Sequence, residues 1–316
     1  MSTIGFDTSN YTTSTAWTDG KTDINVRQIL YVKDGERGIR QSDGVFQHIK
    51  LMPVMYEKLS EQIDFKDVKA VGVSTRPRCV EGSYMPVFLA GEGYAKVVAN
   101  TLGVPLYEFS HQDGHIMAGI YSSGSFELLE NDFISVHLSG GTTEILKSRY
   151  NEFNFDNEII GGSKDISAGQ FIDRVGVALG FPFPAGVHLD AMARKGSMDI
   201  KGSRVFCRNG EISYSGPESQ AQRQIARGTA DCCAMSCWTL RTVWNGLQEL
   251  LDTGLSGGMD KLVAVGGVMS NGFLRSQLQR YASRHHVQVI LAPDGYSADN
   301  ASGAAFWAFW KERGRS

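Results

Sequence analysis

Positive charge is scarce in this chain of 316 residues. Its 31 lysines and arginines are outnumbered by 34 aspartates and glutamates, which gives a formal net charge of −3. A positive field over the whole molecule is therefore excluded, and binding of a nucleic acid would need a local basic patch or a partner. Low-complexity linkers and short-period repeats are also missing. With 42% hydrophobic residues, the chain has enough apolar material for one large two-lobed domain or two smaller ones.

Long apolar runs are missing as well. No stretch reaches the length that spans a bilayer, and the opening MSTIGFDTSN lacks the basic segment and apolar core of a signal peptide. The five cysteines are odd in number, and three of them, Cys232, Cys233 and Cys237, fall in one predicted helix rather than in a disulfide framework. Without a nearby histidine they make a poor zinc site, so we expect them to pack in the core. We expect a cytoplasmic protein with no membrane partner.

The order of predicted elements indicates an α/β fold. The chain opens with a strand, a polar turn beginning at Asp7 and a second strand, and a similar unit recurs at residues 133–146. This repetition predicts a duplicated core. Strands and helices alternate between and after the two units. Helices are predicted at 51–63 and 90–103, and strands at 68–75, 104–110 and 261–267. A long helix is predicted after Pro217; Gly228 could interrupt it, and Gly254, Gly257 and Gly258 end it. The chain closes with a predicted amphipathic helix at 304–316.

Glycine-rich turns follow two of the predicted strands, at Ser139-Gly140-Gly141 and at Gly266-Gly267. Glycine allows backbone amides to approach a phosphate, because it permits unusual dihedral angles and carries no side chain. The second turn leads into a helix, whose N-terminus could also face an anion or a nucleoside. Close backbone packing explains either turn alone equally well. Together with Asp7-Thr8-Ser9, the turns favour a nucleotide cleft.

His111 and His115 are four residues apart, which on a helix places both imidazoles on one face, suited to one metal ion. Such a pair needs a further donor, for which Asp299 is the candidate because it lies at a predicted strand-to-helix turn. A bare pair of this spacing is more often made of surface or core histidines. We expect solvated or packing roles for the remaining histidines, which are His48, His137, His188, His285 and His286.

Carboxylates recur in the middle of the chain at Asp165, Asp173 and Asp190. In isolation they are typical of helix caps or of a solvated face. Within a nucleotide cleft a carboxylate can instead accept hydrogen bonds from ribose hydroxyls.

In order along the chain, GFDTS, HQDGH, HLSGGTTEI, AGQFIDRVG, FPAGVHLD, ISYSG, AVGGVMSN and SADNAS resemble the motif series of the TsaD-like tRNA threonylcarbamoyladenosine synthase family, once called glycoproteases. The HxxxH pair with a later Asp-Asn separates the chain from TsaB-like paralogues, which lack the metal site. The resemblance implies the two-lobed, actin-like and sugar-kinase-like ATPase fold. We expect an N-terminal lobe of residues 1–108 plus 300–316 and a C-terminal lobe of residues 109–299.

The resemblance also implies roles for individual residues. The cofactors would be one divalent metal ion, iron or zinc, and an adenine nucleotide or acyl-adenylate, with magnesium left open as a further ion. The metal ligands would be His111, His115 and Asp299. The residues implied for the nucleotide or substrate are Asp7, then Ser139, Gly140 and Gly141 on the phosphate side, Asp173, Gly186 and Asp190 around the ribose, and Gly267 and Asn271 beside the adenine.

In this family a threonylcarbamoyl group passes from its adenylate to the adenosine that follows the anticodon of tRNA. The implied partners are therefore tRNA and either a TsaB-like subunit or a second copy of the chain. This chain departs from the family pattern in a way typical of a diverged paralogue. Thr142 replaces the histidine of SGGH, and Gln170 replaces an acid. Ile166 follows Asp165 where a second Asp is usual, and Thr12 stands where bacterial members often carry an acid. Residues 74–78 read STRPR instead of a GPG segment.

Two other functions stay open on the sequence. One is a carbamoyltransferase with another acceptor, which Thr142 and Gln170 favour. The other is a non-catalytic, nucleotide-binding subunit of a tRNA-modifying complex. A metalloprotease is disfavoured, because the chain has no HExxH glutamate to activate water.

Overall fold

The structure is a computed structural model that describes residues 1–9, 11–33, 36, 38–152, 154–197, 199–255, 258–293 and 295–314. Gly257, one of the glycines expected to end the long helix, lies outside these residues. None of the described helices combines the length and the hydropathy that spanning a bilayer requires.

The first half of the chain forms a mixed sheet with helices on both faces. Its order is β3-β2-β1-β4-β5, where the first three strands are antiparallel neighbours and β1, β4 and β5 run parallel. The elements are β1 (Ser2–Asp7), β2 (Thr12–Thr18), β3 (Asp23–Ile29), α1 (Gln41–Ser60), β4 (Val68–Arg76), α2 (Phe88–Leu102) and β5 (Leu106–Ser110).

The second half repeats this arrangement. Its order is β11-β10-β6-β7-β8-β9, in which β6, β7 and β8 are antiparallel and β6, β10 and β11 are parallel. The predicted duplicated core is therefore confirmed. The elements are β6 (Phe133–Leu138), β7 (Thr143–Tyr150), β8 (Phe155–Ser163), α4 (Ala168–Ala178), α5 (Gly186–Ala193), β9 (Glu211–Ile212), α6 (Ser215–Ala226), α7 (Cys232–Gly254), β10 (Lys261–Val265), α8 (Gly272–His285) and β11 (Gln288–Leu291).

Helices α3 (His111–Ser123) and α9 (Ser302–Arg313) pack together between the two sheets. Strand β1 is buried throughout because its alternate residues face different helices. Ile4 and Phe6 pack with α1 and α2, whereas Gly5 faces α9. A Cβ at Gly5 would lie 2.4 Å from the carbonyl oxygen of Ala301, so this close approach of helix and strand requires glycine.

A hydrophobic cluster joins the two halves through α3 and α9. It takes side chains from β5, α3, β6, β8, β10, β11 and α9, so both sheets contribute to one core. Helix α9 follows the second sheet in the chain but also packs on the first. The lobe boundaries themselves stay a prediction. The buried members include Phe109, Ile116, Phe133, Phe155, Val263, Ile290 and Trp307.

Three helices differ in detail from the sequence-based predictions. Helix α1 begins at Gln41, ten residues before the predicted start, and ends at Ser60. The long helix after Pro217 is interrupted, because Gly228 adopts a left-handed φ of +67° and Asp231 caps a new helix, α7. The terminal helix is not amphipathic over its first two turns. Residues 302–308 of α9 are all buried, since the helix lies between the first sheet and α3. Of the three cysteines expected in the core, Cys237 is buried, with its thiol 3.2 Å from the carbonyl oxygen of Ala193, whereas Cys232 and Cys233 are half-buried.

Candidate functional site

The candidate site lies where the carboxyl ends of the parallel strands of both sheets meet. In open α/β sheets, ligands bind outside the carboxyl ends of the strands. In the first sheet, Asp7 ends β1 and His111 directly follows β5. In the second, Ser139 follows β6, Gly266 follows β10, and Asp299 lies in the loop between β11 and α9.

Helix α3 holds the two histidines as the sequence predicts. A capping box begins the helix, in which the Ser110 hydroxyl accepts from the Asp113 amide at 3.1 Å and the Asp113 carboxylate accepts from the Ser110 amide at 3.3 Å. His111 is thereby the first helical residue, and His115 lies one turn later on the same face.

The side chains of His111, His115 and Asp299, here called the His-His-Asp group, converge on one point. The two histidine Nε2 atoms lie 3.0 Å apart. Asp299 Oδ1 lies 3.5 Å from Nε2 of His111 and 3.3 Å from Nε2 of His115. Three atoms bound tetrahedrally at about 2.0–2.1 Å from one ion lie about 3.3 Å apart. The group therefore fits a single divalent ion held by two imidazoles and a carboxylate.

The carboxylates of Asp7 and Asp299 stabilise a positive charge in the His-His-Asp group. Burial alone lowers the pKa of His111, but the negative charges of Asp7 and Asp299 outweigh burial and raise the pKa to about 10. Burial and the charge of His111 lower the pKa of His115. Burial raises the pKa of Asp299, yet its hydrogen bonds to both histidines hold that pKa well below the ordinary value.

Asp7 lies behind the His-His-Asp group and orients His111. Its Oδ2 lies 2.8 Å from His111 Nδ1 and accepts a hydrogen bond from the Ser74 hydroxyl at 2.5 Å, while its Oδ1 accepts from the Ser9 amide at 2.9 Å. A carboxylate on the far nitrogen of a histidine leaves Nε2 free to act as a ligand. Asp7, which the resemblance assigned to the nucleotide or substrate, is therefore placed here as a partner of His111.

The turn between β6 and β7 presents open glycines. The Ser139 hydroxyl accepts from the amides of Gly141 and Thr142, at 3.3 Å and 3.1 Å. A Cβ added at Gly140 or Gly141 would meet no atom of the described residues within 4 Å, and the same holds at Gly267, so these backbones face open space. Such space is what a phosphate or nucleoside needs.

The residues implied for the ribose and adenine gather around α5. Asp173 accepts from the Ala185 amide at 2.8 Å and so caps the helix that begins at Gly186. Asp190 lies one turn further along α5 and accepts from Asn271 Nδ2 at 2.7 Å.

Asp190 also accepts two hydrogen bonds from Arg194 and borders a cavity of about 520 Å³. Gly272 and Phe273, at the start of α8, line the same cavity. The structure thus brings Asp190 and Asn271 into direct contact, whereas Asp173 is engaged with backbone.

Thr142 and Gln170, two of the departures from the family pattern, both have local structural roles. Gln170 closes a capping box with Ser167, accepting from its amide at 3.1 Å, and an acid at this position makes the same bond. Thr142 closes the β6–β7 turn through its carbonyl oxygen, which accepts from the Ser139 amide at 2.8 Å.

His137 belongs to the site although the sequence interpretation assigned it to solvated or packing roles. The ring is buried, and its centre lies 5.1 Å from that of His115. Burial and the charges of the other two histidines lower the pKa of His137 well below its ordinary value. Its position two residues before the Ser139 turn is the only sequence signal that could have indicated it.

The chain is similar to known proteins along most of its length. A family model described as TsaD, tRNA N6-adenosine threonylcarbamoyltransferase, matches residues 36–306. The chain belongs to the TsaD family, a family of transferases. A tRNA N6-adenosine threonylcarbamoyltransferase of Clostridium botulinum is 28% identical over 287 residues, which cover 85% of this chain and 80% of the relative.

Solved structures show the same fold at low sequence identity. HypF of T. kodakarensis is 14% identical with a TM-score of 0.62, and the match covers 99% of this chain but 48% of HypF, so the chain spans about half of that protein. A ROK family glucokinase from Streptomyces griseus, solved with glucose and AMPPNP, is 14% identical with a TM-score of 0.52, covering 98% of this chain and 100% of the glucokinase. The TsaD-family chain therefore has the actin-like, sugar-kinase-like ATPase fold.

Proposed function

We propose that this TsaD-family chain transfers a threonylcarbamoyl group from its adenylate to the N6 amine of the adenosine that follows the anticodon of tRNA. The observation that carries the proposal is the His-His-Asp group at the junction of the two sheets, beside the open glycine turns. Iron or zinc bound by His111, His115 and Asp299 would supply Lewis acidity for the carbamoyl oxygen.

The other residues of the cleft would bind and orient the adenylate. The open amides at Gly140 and Gly141 suit its phosphate, because backbone N–H groups without a covering side chain can approach an anion closely. Asp190 and Asn271 suit the ribose and adenine, since their present hydrogen bonds to each other and to Arg194 can be exchanged for bonds to a nucleoside. Asp7 would keep His111 in the orientation that a ligand requires.

A second subunit would complete the RNA-binding surface. The chain has a net charge of −3, so it offers little general attraction for tRNA. Helices α1 and α2 carry several exposed apolar side chains, which together are here called the α1–α2 face. Tyr94 of α2 donates a hydrogen bond to the carbonyl oxygen of Ile49 on α1. We propose that a TsaB-like subunit or a second copy binds there. The exposed side chains of this α1–α2 face include Phe46, Ile49, Val54, Leu89 and Val97.

Subunit binding is tested by Phe46→Asp. Light scattering should show a dimer for the parent, alone or with a TsaB-like protein, and a monomer for the variant. Phe206→Asp, at an exposed phenylalanine outside the α1–α2 face, is the matched control and should leave the dimer intact. Identical masses for all three proteins would contradict the proposed interface.

Transfer is tested with labelled threonylcarbamoyl-adenylate and unmodified tRNA, in the presence of a TsaB-like protein. The parent is compared with the double variant Thr142→His, Gln170→Glu, which restores the family residues. Loss of a proton-transfer or orienting group typically lowers a rate by about 10²–10⁴-fold, so we expect slow transfer by the parent and faster transfer by the variant. Rapid transfer by both proteins would show that the residues at positions 142 and 170 do not limit the transfer rate.

The same assay addresses the second candidate function, a carbamoyltransferase with another acceptor, which Thr142 and Gln170 favour. No transfer to tRNA by either protein, with nucleotide and metal bound, would support it. Nucleotide binding is measured separately by calorimetry with AMP. Asp190→Ala should weaken AMP binding by roughly tenfold to 150-fold through loss of a charge-assisted hydrogen bond. Equal affinity would place the ribose contact elsewhere.

A further inference from the structure

The two ring nitrogens of the buried His137 are in different environments. The residue lies on β6 and is only 3% exposed, and its ring packs beside that of His115. Among the residues that the structure describes, Nε2 has no hydrogen-bond partner. Leaving a buried polar group unpaired costs about 1–3 kcal/mol, so such an atom indicates a partner that arrives with a ligand.

A chain of polar contacts assigns the proton of this imidazole. Arg78 Nη1 lies 2.9 Å from Glu144 Oε1, and Gln112 Nε2 donates to Glu144 Oε2 at 3.0 Å. A carboxylate paired with a guanidinium only accepts, so this end of the Gln112 amide is its NH₂ group. The same nitrogen lies 3.4 Å from His137 Nδ1, which must therefore accept. With Nδ1 accepting, the ring proton of His137 is on Nε2.

The protonated nitrogen lies on the edge of the ring that is next to the Gly266-Gly267 turn. His137 is the cross-strand neighbour of Val265, and its Cδ2 lies 3.0 Å from the position that a Cβ on Gly266 would take. The edge formed by Cδ2 and Nε2 thus lies near the Gly266-Gly267 turn, while the ring packs against His115. This edge of the ring therefore lies between the turn proposed for the nucleotide and the proposed metal ligand His115.

We propose that His137 donates a hydrogen bond from Nε2 to the carbonyl oxygen of the carbamoyl group during its transfer. The proposal rests on the proposed function. When the N6 amine attacks the carbonyl carbon, the new C–N bond places negative charge on this oxygen. The carbonyl group forms again when the C–O bond to the phosphate breaks. AMP leaves with the electron pair of that bond, and the amine releases its proton to water. A donor fixed beforehand in a buried site stabilises that charge.

Replacing His137 by leucine or by glutamine tests the donor. His137→Leu removes it, whereas the side-chain amide of His137→Gln can place an N–H near the former Nε2. Loss of one such donor lowers kcat by about 10²–10³-fold. We expect this loss for the leucine variant, with KM for the adenylate near that of the parent, stoichiometric metal in both variants and at least a tenfold recovery of kcat by glutamine.

The other outcomes distinguish an error about His137 from an error about the proposed function. An active parent with an equally active leucine variant would overturn the role of His137 alone. Loss of metal from the leucine variant would make His137 a metal ligand and would also overturn it. A parent that transfers nothing would overturn the proposed function, and the role of His137 in it.

A measurement on the resting protein does not depend on transfer. In protein labelled with ¹⁵N at histidine and loaded with zinc, long-range ¹H–¹⁵N spectra distinguish the two imidazole tautomers, and the His137 signals are assigned by their absence from the glutamine variant. We expect the Nε2–H tautomer in the parent. An Nδ1–H tautomer would contradict the proposal, because Nε2 would then have no proton to donate.

Discussion

Asp7 and His111 are 104 positions apart in the chain, yet their side chains lie 2.8 Å from each other. The fold brings them together because β1, β4 and β5 are parallel neighbours whose carboxyl ends share one edge. At the residue scale, the candidate metal site therefore consists of ligands and of the groups that orient them. Asp7 orients His111, and Ser74 in turn donates a hydrogen bond to Asp7.

Replacing Asp7 by asparagine should weaken metal binding without unfolding the chain. The amide keeps the size of the side chain and an accepting oxygen, but it removes the negative charge beside His111. Mutation of such an orienting partner typically lowers metal affinity by about 10–100-fold. Competition titration with a chelator measures this. The control Asp43→Asn, an exposed residue of α1, should bind metal like the parent, and unchanged affinity in Asp7→Asn would show that the carboxylate does not support the ligand.

Asp173 makes the stability of the chain depend on pH. Burial raises its pKa to about 6, although the amides of Ala185 and Gly186 oppose this shift. The folded pKa is higher than the value of about 3.9 expected in the unfolded chain, so the folded state keeps the proton to higher pH. The contribution of Asp173 to stability is therefore complete below about pH 4 and decreases as pH rises through about 6.

Asp173→Asn should remove this dependence, because an amide still accepts from Ala185 but does not titrate. Relative to the parent, the free energy of unfolding of the variant should rise by about 1–3 kcal/mol between pH 4 and pH 7. Urea denaturation at several pH values measures the difference. Asp67→Asn, at an exposed aspartate, should follow the parent. A constant difference between variant and parent across this range would contradict the raised pKa.

At the scale of elements, local patterns in the sequence predict most strands and helices. The turn at the end of β1, the helix that ends at Gly103 and the strand before His111 are each indicated by neighbouring residues. Local patterns could not predict the environment of α9 or of His137. Both depend on which strands and helices become neighbours, and this is decided by packing between segments far apart in the chain.

The crossing of α3 and α9 requires glycine at position 303 of α9. A Cβ at Gly303 would lie 2.0 Å from the carbonyl oxygen of Gly114, an atom that cannot move independently of its helix. Overpacking of this kind typically costs about 1–3 kcal/mol, and a backbone contact belongs at the upper end. Replacing a helical glycine by alanine otherwise gains up to about 1 kcal/mol. We therefore expect Gly303→Ala to lose about 2 kcal/mol of stability.

Gly93 of α2 provides the matched control for this variant. It is also a helical glycine, but a Cβ there would come within 4 Å of no atom that the structure describes. Gly93→Ala should gain the higher helix propensity of alanine without a clash, and it should therefore be slightly more stable than the parent. Denaturation midpoints measure both variants, and equal midpoints for Gly303→Ala and Gly93→Ala would show that the two helices can separate without loss.

At the scale of the whole molecule, the two sheets share one core. The cluster around α3 and α9 contains Phe109 from β5, Val263 from β10 and Trp307 from α9. Neither lobe can therefore expose its own side of this cluster without removing contacts from the other. We expect the two lobes to unfold as one cooperative unit, although each has its own sheet.

Two core variants, one in each lobe, test this cooperativity. Met52 is fully buried in the cluster beneath the first sheet, and Leu247 is fully buried in the cluster of the second. Truncation of either side chain to alanine should cost about 2–5 kcal/mol. If the lobes unfold together, each variant lowers the protection of the slowest-exchanging amides in both β4 and β10 by the same free energy, because those amides exchange only through global opening. Hydrogen exchange followed by mass spectrometry measures both strands in one experiment. Loss of protection confined to β4 in Met52→Ala and to β10 in Leu247→Ala would instead show that α3 and α9 allow the lobes to unfold separately.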